Sequence, residues 1–193
     1  EKGIISGLIL CGMRHDPKNV SAVADLAVEI KNKIIGFDIA GPEYSFLPSL
    51  YRDSFKKVSN AGINITIHAG EGDGVHSIQD ALDNGARRIG HGVRIIEDID
   101  DNNSLGRTAD FILQNQIPLE ICITSNIHTN MYEDVKNHPI SNLNEIGFNI
   151  SLNTDNRLMS NTSVLNELAM AKLSGIENPE QLLKYSASDS FLN

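Results

Sequence analysis

The chain has 193 residues, 40% of them hydrophobic and 21% charged, with a formal net charge of -9. This is an ordinary soluble globular composition, long enough for one sizeable core. The acidic balance argues against nucleic-acid and anionic-membrane binding, which need clustered Lys and Arg, and weighs against a polyanionic substrate. Cys11 and Cys122 are the only cysteines. Each sits in an apolar run, so buried free thiols in a reducing, cytoplasmic setting are expected, with no disulfide framework or Cys-rich metal site.

The apolar run from Gly3 to Met13 is too short to span a bilayer. It lacks a small-residue cleavage site and is followed by Arg14-His15-Asp16, so a buried strand is a better expectation than a secretory leader. It reads as a buried strand over Gly7 to Met13. The chain has no initiator Met and opens almost directly into this strand, as expected of a fragment with sequence upstream. Ser21 to Lys33 reads as a helix, capped by Ser21 with Val23, Leu26, Ala27 and Ile30 as its apolar stripe. A second strand, Ile34 to Ile39, ends in Ala40-Gly41-Pro42-Glu43. Leu50 to Ala61 is helical and stops at Gly62.

The third strand, Asn64 to His68, runs into Ala69-Gly70-Glu71. A helix over Ser77 to Asn84, a short strand at Arg88-Ile-Gly-His91-Gly92 and a helix over Asp101 to Gln114 follow. The Asp98, Asp100 and Asp101 run reads as a solvated helix start. Pro118 to Ile123 is the fifth strand, followed by Thr124-Ser125-Asn126 and a long polar loop. A helix over Ile140 to Ile146, a sixth strand over Asn149 to Asn153, and helices over Ser163 to Leu173 and Pro179 to Phe191 complete the chain.

Strand–helix units recurring about every 30 residues imply a parallel sheet. The near-continuous apolar runs predict strands buried on both faces. A doubly wound sheet and a (β/α) barrel both satisfy this. A doubly wound sheet gathers its site at one switch point, whereas a barrel collects residues from many strand ends around one mouth. Here Gly41, His68 with Glu71, His91, and Asp155 with Asn156 each follow a strand. The expectation is therefore an α/β fold, a (β/α)8 TIM-type barrel with six of the eight units present. A full barrel takes about 250 residues. No linker or composition shift divides residues 1–193, so they read as one domain.

His68, His91 and Asp155 have donor chemistry for a divalent metal, since imidazole nitrogen and carboxylate oxygen both bind zinc. Glu71, three residues past His68, reaches the same mouth without being a ligand. A carboxyl there suits proton transfer to a substrate nitrogen. His76, His128 and His138 are expected at the surface. Arg14 and His15 are expected to support strand ends, and Asn126 either lines the pocket or forms a turn.

His68-Ala-Gly-Glu71, Arg88-Ile-Gly-His91-Gly92 and Ser151-Leu-Asn-Thr-Asp155 together resemble adenosine deaminase, a zinc-dependent member of the amidohydrolase superfamily. Phe37-Asp38-Ile-Ala-Gly41-x-Glu43, Leu10-Cys-Gly-Met-Arg14-His15 and Ser186-Ala187-x3-Phe191-Leu192 are similar to the same family. Thr154-Asp-Asn-Arg-Leu-Met-Ser160 resembles its bacterial branch. The resemblance implies one Zn2+ held in part by His68 and Asp155, with Asp155 also taking the proton from the attacking water. It implies that His91 stabilises the attacking hydroxide, that Glu71 protonates purine N1, that the Gly41 N–H meets N3, and that Asn156 contacts N7. The partner would be a small-molecule purine nucleoside, and adenosine or 2′-deoxyadenosine would be deaminated in purine salvage. The family's remaining zinc ligands form a His-x-His pair. No His-x-His occurs in this chain, so it carries about half of a zinc shell. Asn156 stands where many members have Asp, and its amide can donate to N7 directly. A sibling deaminase acting on adenine, a modified adenosine or AMP, and a catalytically incomplete purine-binding fragment, are the alternative readings. Oligomeric state is not legible in the residues.

Overall fold

In a computed structural model, which describes residues 5–188 and 190–192, six strands form one sheet: β1 Ile9–Met13, β2 Gly36–Ala40, β3 Asn64–Ala69, β4 Arg88–His91, β5 Leu119–Ile121 and β6 Ile150–Leu152. Every neighbouring pair is parallel, and the spatial order is the sequence order. A doubly wound sheet reverses direction at a switch point. This one never does, so it is the arc of a (β/α)8 barrel, with six of eight units and β1 and β6 at its edges.

The helices are α1 Pro17–Glu29, α2 Arg52–Asn60, α3 Val75–Asp83, α4 Arg107–Gln114, α5 Ile123–His128, α6 Ile140–Ile146, α7 Arg157–Ser160, α8 Val164–Leu173 and α9 Gln181–Ser188, with α5 and α7 at the strand ends beside Asp155 and His91. Phe37 of β2 meets Phe55 of α2 edge-to-face at 5.8 Å. Strand alternation then turns Asp38 to the inner face. The same alternation sets Ile65 and Ile67 against Thr66 and His68, and Leu119 and Ile121 against Glu120. The outer residues form the apolar core. The inner ones form a polar lattice. Thr66 Oγ1 donates to Glu120 at 3.3 Å, and Arg88 Nε lies 3.2 Å from Glu120 while its guanidinium stacks 4.2 Å from the Phe191 ring. Strands β2, β4 and β6 are buried on both faces as expected, whereas edge strand β1 is not. Mixed residues such as Thr66 and Arg88 are buried because their polar groups pair across the barrel interior.

Several boundaries move for identifiable reasons. The first helix starts at Pro17, not Ser21. Asp16 Oδ1 accepts from the Lys18 and Asn19 N–H groups, and proline suits the first helical position. Its buried stripe is Val20, Ala24 and Ala27, and Leu26 is exposed. The helix expected from Asp101 begins at Arg107, because Asp98 reaches forward to accept the Thr108 and Ala109 N–H groups, each at 2.9 Å. The intervening acidic residues form a turn, with Asp100 accepting from Asn102 and Ser104. Cys11 is exposed on edge strand β1, whereas Cys122 is buried as expected. The expected helix over 179–191 is seen as Gln181–Ser188, and residue 189 lies outside the described residues. Among the described residues no helix is long and apolar enough to cross a membrane.

Candidate active site at the strand ends

The C-terminal ends of β3, β4 and β6 bring His68, His91 and Asp155 to the rim of one cavity of about 140 Å3, whose lining includes Glu120 and Cys122. Residue pairing explains the packing. His68 of β3 lies opposite Gly90 of β4. A Cβ at position 90 would stand 3.2 Å from the His68 Cα and from its ring atoms, so glycine gives the imidazole room to lie across the neighbouring strand without a shift. The His68 and His91 rings are then 5.3 Å apart, tilted by 59°. His91 and Asp155 both occupy the left-handed region, at φ 60° and 53°. Non-glycine residues rarely do so, and such strain concentrates at functional sites.

His68 is held from behind. Its Nδ1 lies 2.7 Å from Asp38 Oδ2, and its backbone N–H donates to Asp38 Oδ1 at 3.2 Å. Arg14, fully buried, donates from its guanidinium to the His68 carbonyl. Nε2 is therefore the ring nitrogen left for the cavity. Burial opposes a charge on this ring, but the Asp38 charge and hydrogen bond, with Glu120 and Glu71 behind them, outweigh it and lift His68 to about 9. Carboxylate-backed histidine is the usual arrangement of a metal-ligating imidazole. Asp155 Oδ2 accepts from Ser125 Oγ at 2.7 Å, leaving Oδ1 outward. His68 and Asp155 both line the cavity and carry donor atoms of the kind that bind a cation, while among the described residues no three His, Cys, Asp or Glu side chains are assembled into a metal-holding group.

Glu71 follows the sharp turn at Gly70, where φ is 72° and Ile78 leaves no room for a Cβ. Glu43 fixes this turn. Its Oε1 accepts from the Gly70 N–H at 2.5 Å and its Oε2 from the Glu71 and Asp73 N–H groups at 3.0 Å each. The Glu71 carboxylate then lies 3.5 Å from His91 Nε2 and accepts from Thr129 at 3.3 Å. Burial pushes the Glu71 carboxyl above its ordinary value, against the attraction of His68 and with the repulsion of Asp155.

The family model for adenosine deaminase matches residues 1–191. The chain belongs to the adenosine deaminase family. The curated adenosine deaminase of Mycobacteroides abscessus is 41% identical over 166 residues, covering 83% of this chain and 46% of that protein. The chain spans less than half the length of this curated relative. The N6-methyl-AMP deaminase from Arabidopsis thaliana superposes with a TM-score of 0.81 at 26% identity, over 97% of this chain and 54% of that one. An amidohydrolase from Burkholderia ambifaria with bound Zn superposes at 0.84 over 97% of this chain and 52% of that one. At 19% identity it speaks to the fold alone.

Within this family framework the remaining residues fall as follows. Gly41, at φ 104°, is an exposed turn just past β2. Asn156 caps α7, its Oδ1 accepting from the Met159 N–H at 3.1 Å, so the amide NH2 is the group turned outward. Asn126 is fully buried on α5, a helix formed where the sequence suggested a polar loop. His138, expected at the surface, is 3% exposed, whereas His76 and His128 are exposed. Sequence patterning assigns Asp38, Ser125 and Glu120 no site role, because Asp38 and Glu120 lie inside strands and Ser125 in a polar triplet. The alternation of Asp38 between Phe37 and Ile39 was the available signal.

Proposed function

We propose that this chain supplies the proton-handling and purine-binding part of a zinc-dependent adenosine deaminase, which converts adenosine and 2′-deoxyadenosine to inosine and ammonia in purine salvage. The observation that carries this reading is the pairing of two unlike histidines at adjacent strand ends with a buried carboxyl, Glu71, 3.5 Å from one of them. His68 and Asp155 hold zinc in part, with the His-x-His pair of the family completing the shell. Zinc, when bound, supplies a Lewis acid that makes water nucleophilic near neutral pH.

This chain's own residues do the rest. Glu71, whose carboxyl burial favours the protonated form, delivers a proton to purine N1 and so makes C6 electrophilic. His91 donates a hydrogen bond toward the oxygen arriving at C6, and Asp155 takes the proton that this oxygen gives up. The amino group leaves as ammonia, so one water is consumed per inosine formed. Gly41 offers its N–H to N3, and the capped Asn156 offers its amide NH2 to N7, an acceptor that an ionised carboxylate satisfies only if one partner is protonated.

The deciding experiment assays the full-length protein for zinc content and for ammonia and inosine from adenosine, with adenine and AMP in parallel. Near-stoichiometric zinc and preference for adenosine support the reading; absent zinc with no turnover overturns it. Glu71→Gln is expected to keep zinc and lose activity by at least about 100-fold. Near-normal activity in that variant removes Glu71 as the N1 proton donor.

A further inference from the structure

Behind His91 runs a hydrogen-bonded chain that the reaction itself does not touch. His91 Nδ1 lies 3.1 Å from the Asn126 amide nitrogen, and Asn126 Oδ1 lies 3.3 Å from His138 Nε2. His138 Nδ1 in turn receives the backbone N–H of Ile140 at 3.2 Å. All three side chains are buried, and the Tyr132 ring packs on His138 with centroids 5.0 Å apart.

One end of this chain is chemically unambiguous. A backbone N–H can only donate. The residue after His138 is Pro139, which has none, so the first amide available is that of Ile140, and it lands on Nδ1. His138 Nδ1 is therefore unprotonated, and its proton sits on Nε2. That N–H must meet an acceptor, which fixes the Asn126 amide with its oxygen toward His138 and its NH2 toward His91. An NH2 facing His91 Nδ1 requires that nitrogen to accept. Turning the Asn126 amide over does not relieve the constraint, because NH2 would then face the N–H of His138.

The geometry points to Asn126 and His138 as positioning residues that lock His91 as the neutral Nε2–H tautomer, so that its one N–H is aimed into the site and imidazolium is excluded. The Ile140 amide sets the polarity, and each link passes it on without transferring a proton. Burial, which pushes His138 down to about 4, keeps that ring in the neutral form the relay needs. The catalytic consequence rests on the role proposed for His91; the tautomer does not.

Ring-nitrogen NMR of the 15N-histidine-labelled full-length protein at neutral pH tests this directly. Both His91 and His138 are expected to show an unprotonated Nδ1 and a protonated Nε2. A protonated Nδ1 on either ring overturns the assignment, whether or not the protein deaminates anything. Asn126→Asp replaces the donor facing His91 by an acceptor. His91 is then expected to gain an Nδ1 proton, and kcat to fall at least about tenfold with KM changed less than about threefold. A folded Asn126→Asp protein with wild-type kcat and an unchanged His91 spectrum refutes the relay. If that variant does not fold, the wild-type spectrum decides alone.

Discussion

Two sides of one cavity treat the same side chain in opposite ways. On the β2–β3 side, His68 is backed by a carboxylate 2.7 Å away. On the β4–α5 side, His91 is backed by a neutral amide at 3.1 Å. The rings are 5.3 Å apart, yet the first is lifted to about 9, while burial and the neighbouring His68 hold the second below its ordinary value. Asp38 favours any positive charge on His68, whether a proton or a metal cation. Asn126 offers no such stabilisation. In the proposed reading the cavity is thereby divided into a cation-holding side and a side that donates one neutral hydrogen bond. The partner behind each ring, more than the ring's own position, sets its chemistry.

The most direct way to break this contrast is to give both rings the same backing. Asp38→Asn places an amide behind His68. The ring nitrogen facing that NH2 must then accept, which moves the proton to Nε2, where a metal would bind. Zinc affinity of the full-length protein is expected to fall about 10- to 100-fold, read by competition with a chelator. Unchanged affinity would mean that the carboxylate behind His68 is dispensable.

Glu43 tests the shared frame of the two sides. Its two oxygens accept three backbone N–H groups of the 70–73 turn. Glu43→Gln leaves one oxygen and sets an NH2 against at least one of those donors. Hydrogen bonds to a charged acceptor are worth about 1.5–3 kcal/mol, so denaturant unfolding is expected to show a loss of about 2 kcal/mol. kcat should fall about tenfold as Glu71 loses its fixed position, and a wild-type kcat in this variant would mean that the turn holds itself.

These partners also show what the sequence could and could not convey. The parallel arc was legible, because strand-forming runs alternate with helical periodicity and four of the six strands announce their ends with Gly41, His68, His91 or Asp155. The barrel reading rested on that punctuation, and the uninterrupted strand order agrees with it. What lay hidden were contacts between residues far apart in sequence: Asp98 capping a helix ten residues on, Glu43 reaching a turn 27 residues away, and His138 meeting Asn126. A histidine in a polar stretch carries no local mark of burial. His138 is interior only because α5 and the segment before α6 fold over it, and α5 itself was concealed by the short polar triplet at 124–126.

The amide-backed side should also register in stability. His138 has its folded pKa lowered from 6.5 to about 4 by burial. The unfolded chain therefore binds the extra proton first. The neutral ring's contribution is complete above about pH 6.5 and is lost as pH falls toward 4, with a slope approaching about 1.4 kcal/mol per pH unit. Replacing the ring isolates it from the carboxylates that titrate lower. His138→Gln should flatten the dependence of unfolding free energy on pH between about 6.5 and 4.5 relative to wild type. Parallel curves for the two proteins would place a charged, solvated His138 in the native state.

The smallest expected effect concerns the outer rim, where neither histidine reaches. Asn156 commits its oxygen to the Met159 N–H, so its side chain is oriented before any ligand arrives and only the NH2 remains to be satisfied. A neutral hydrogen bond contributes about 0.5–1.5 kcal/mol, which corresponds to a rise in KM of roughly two- to tenfold for Asn156→Ala, with kcat nearly unchanged. Asn156→Asp sharpens the point. It retains an oxygen for the cap of α7 but replaces the donor by an acceptor, so KM should rise at least as far as in the alanine variant at pH 7 and recover as the carboxyl is protonated. Equal KM values for the wild type and both variants would place N7 beyond the reach of this residue and leave the cap as its whole function.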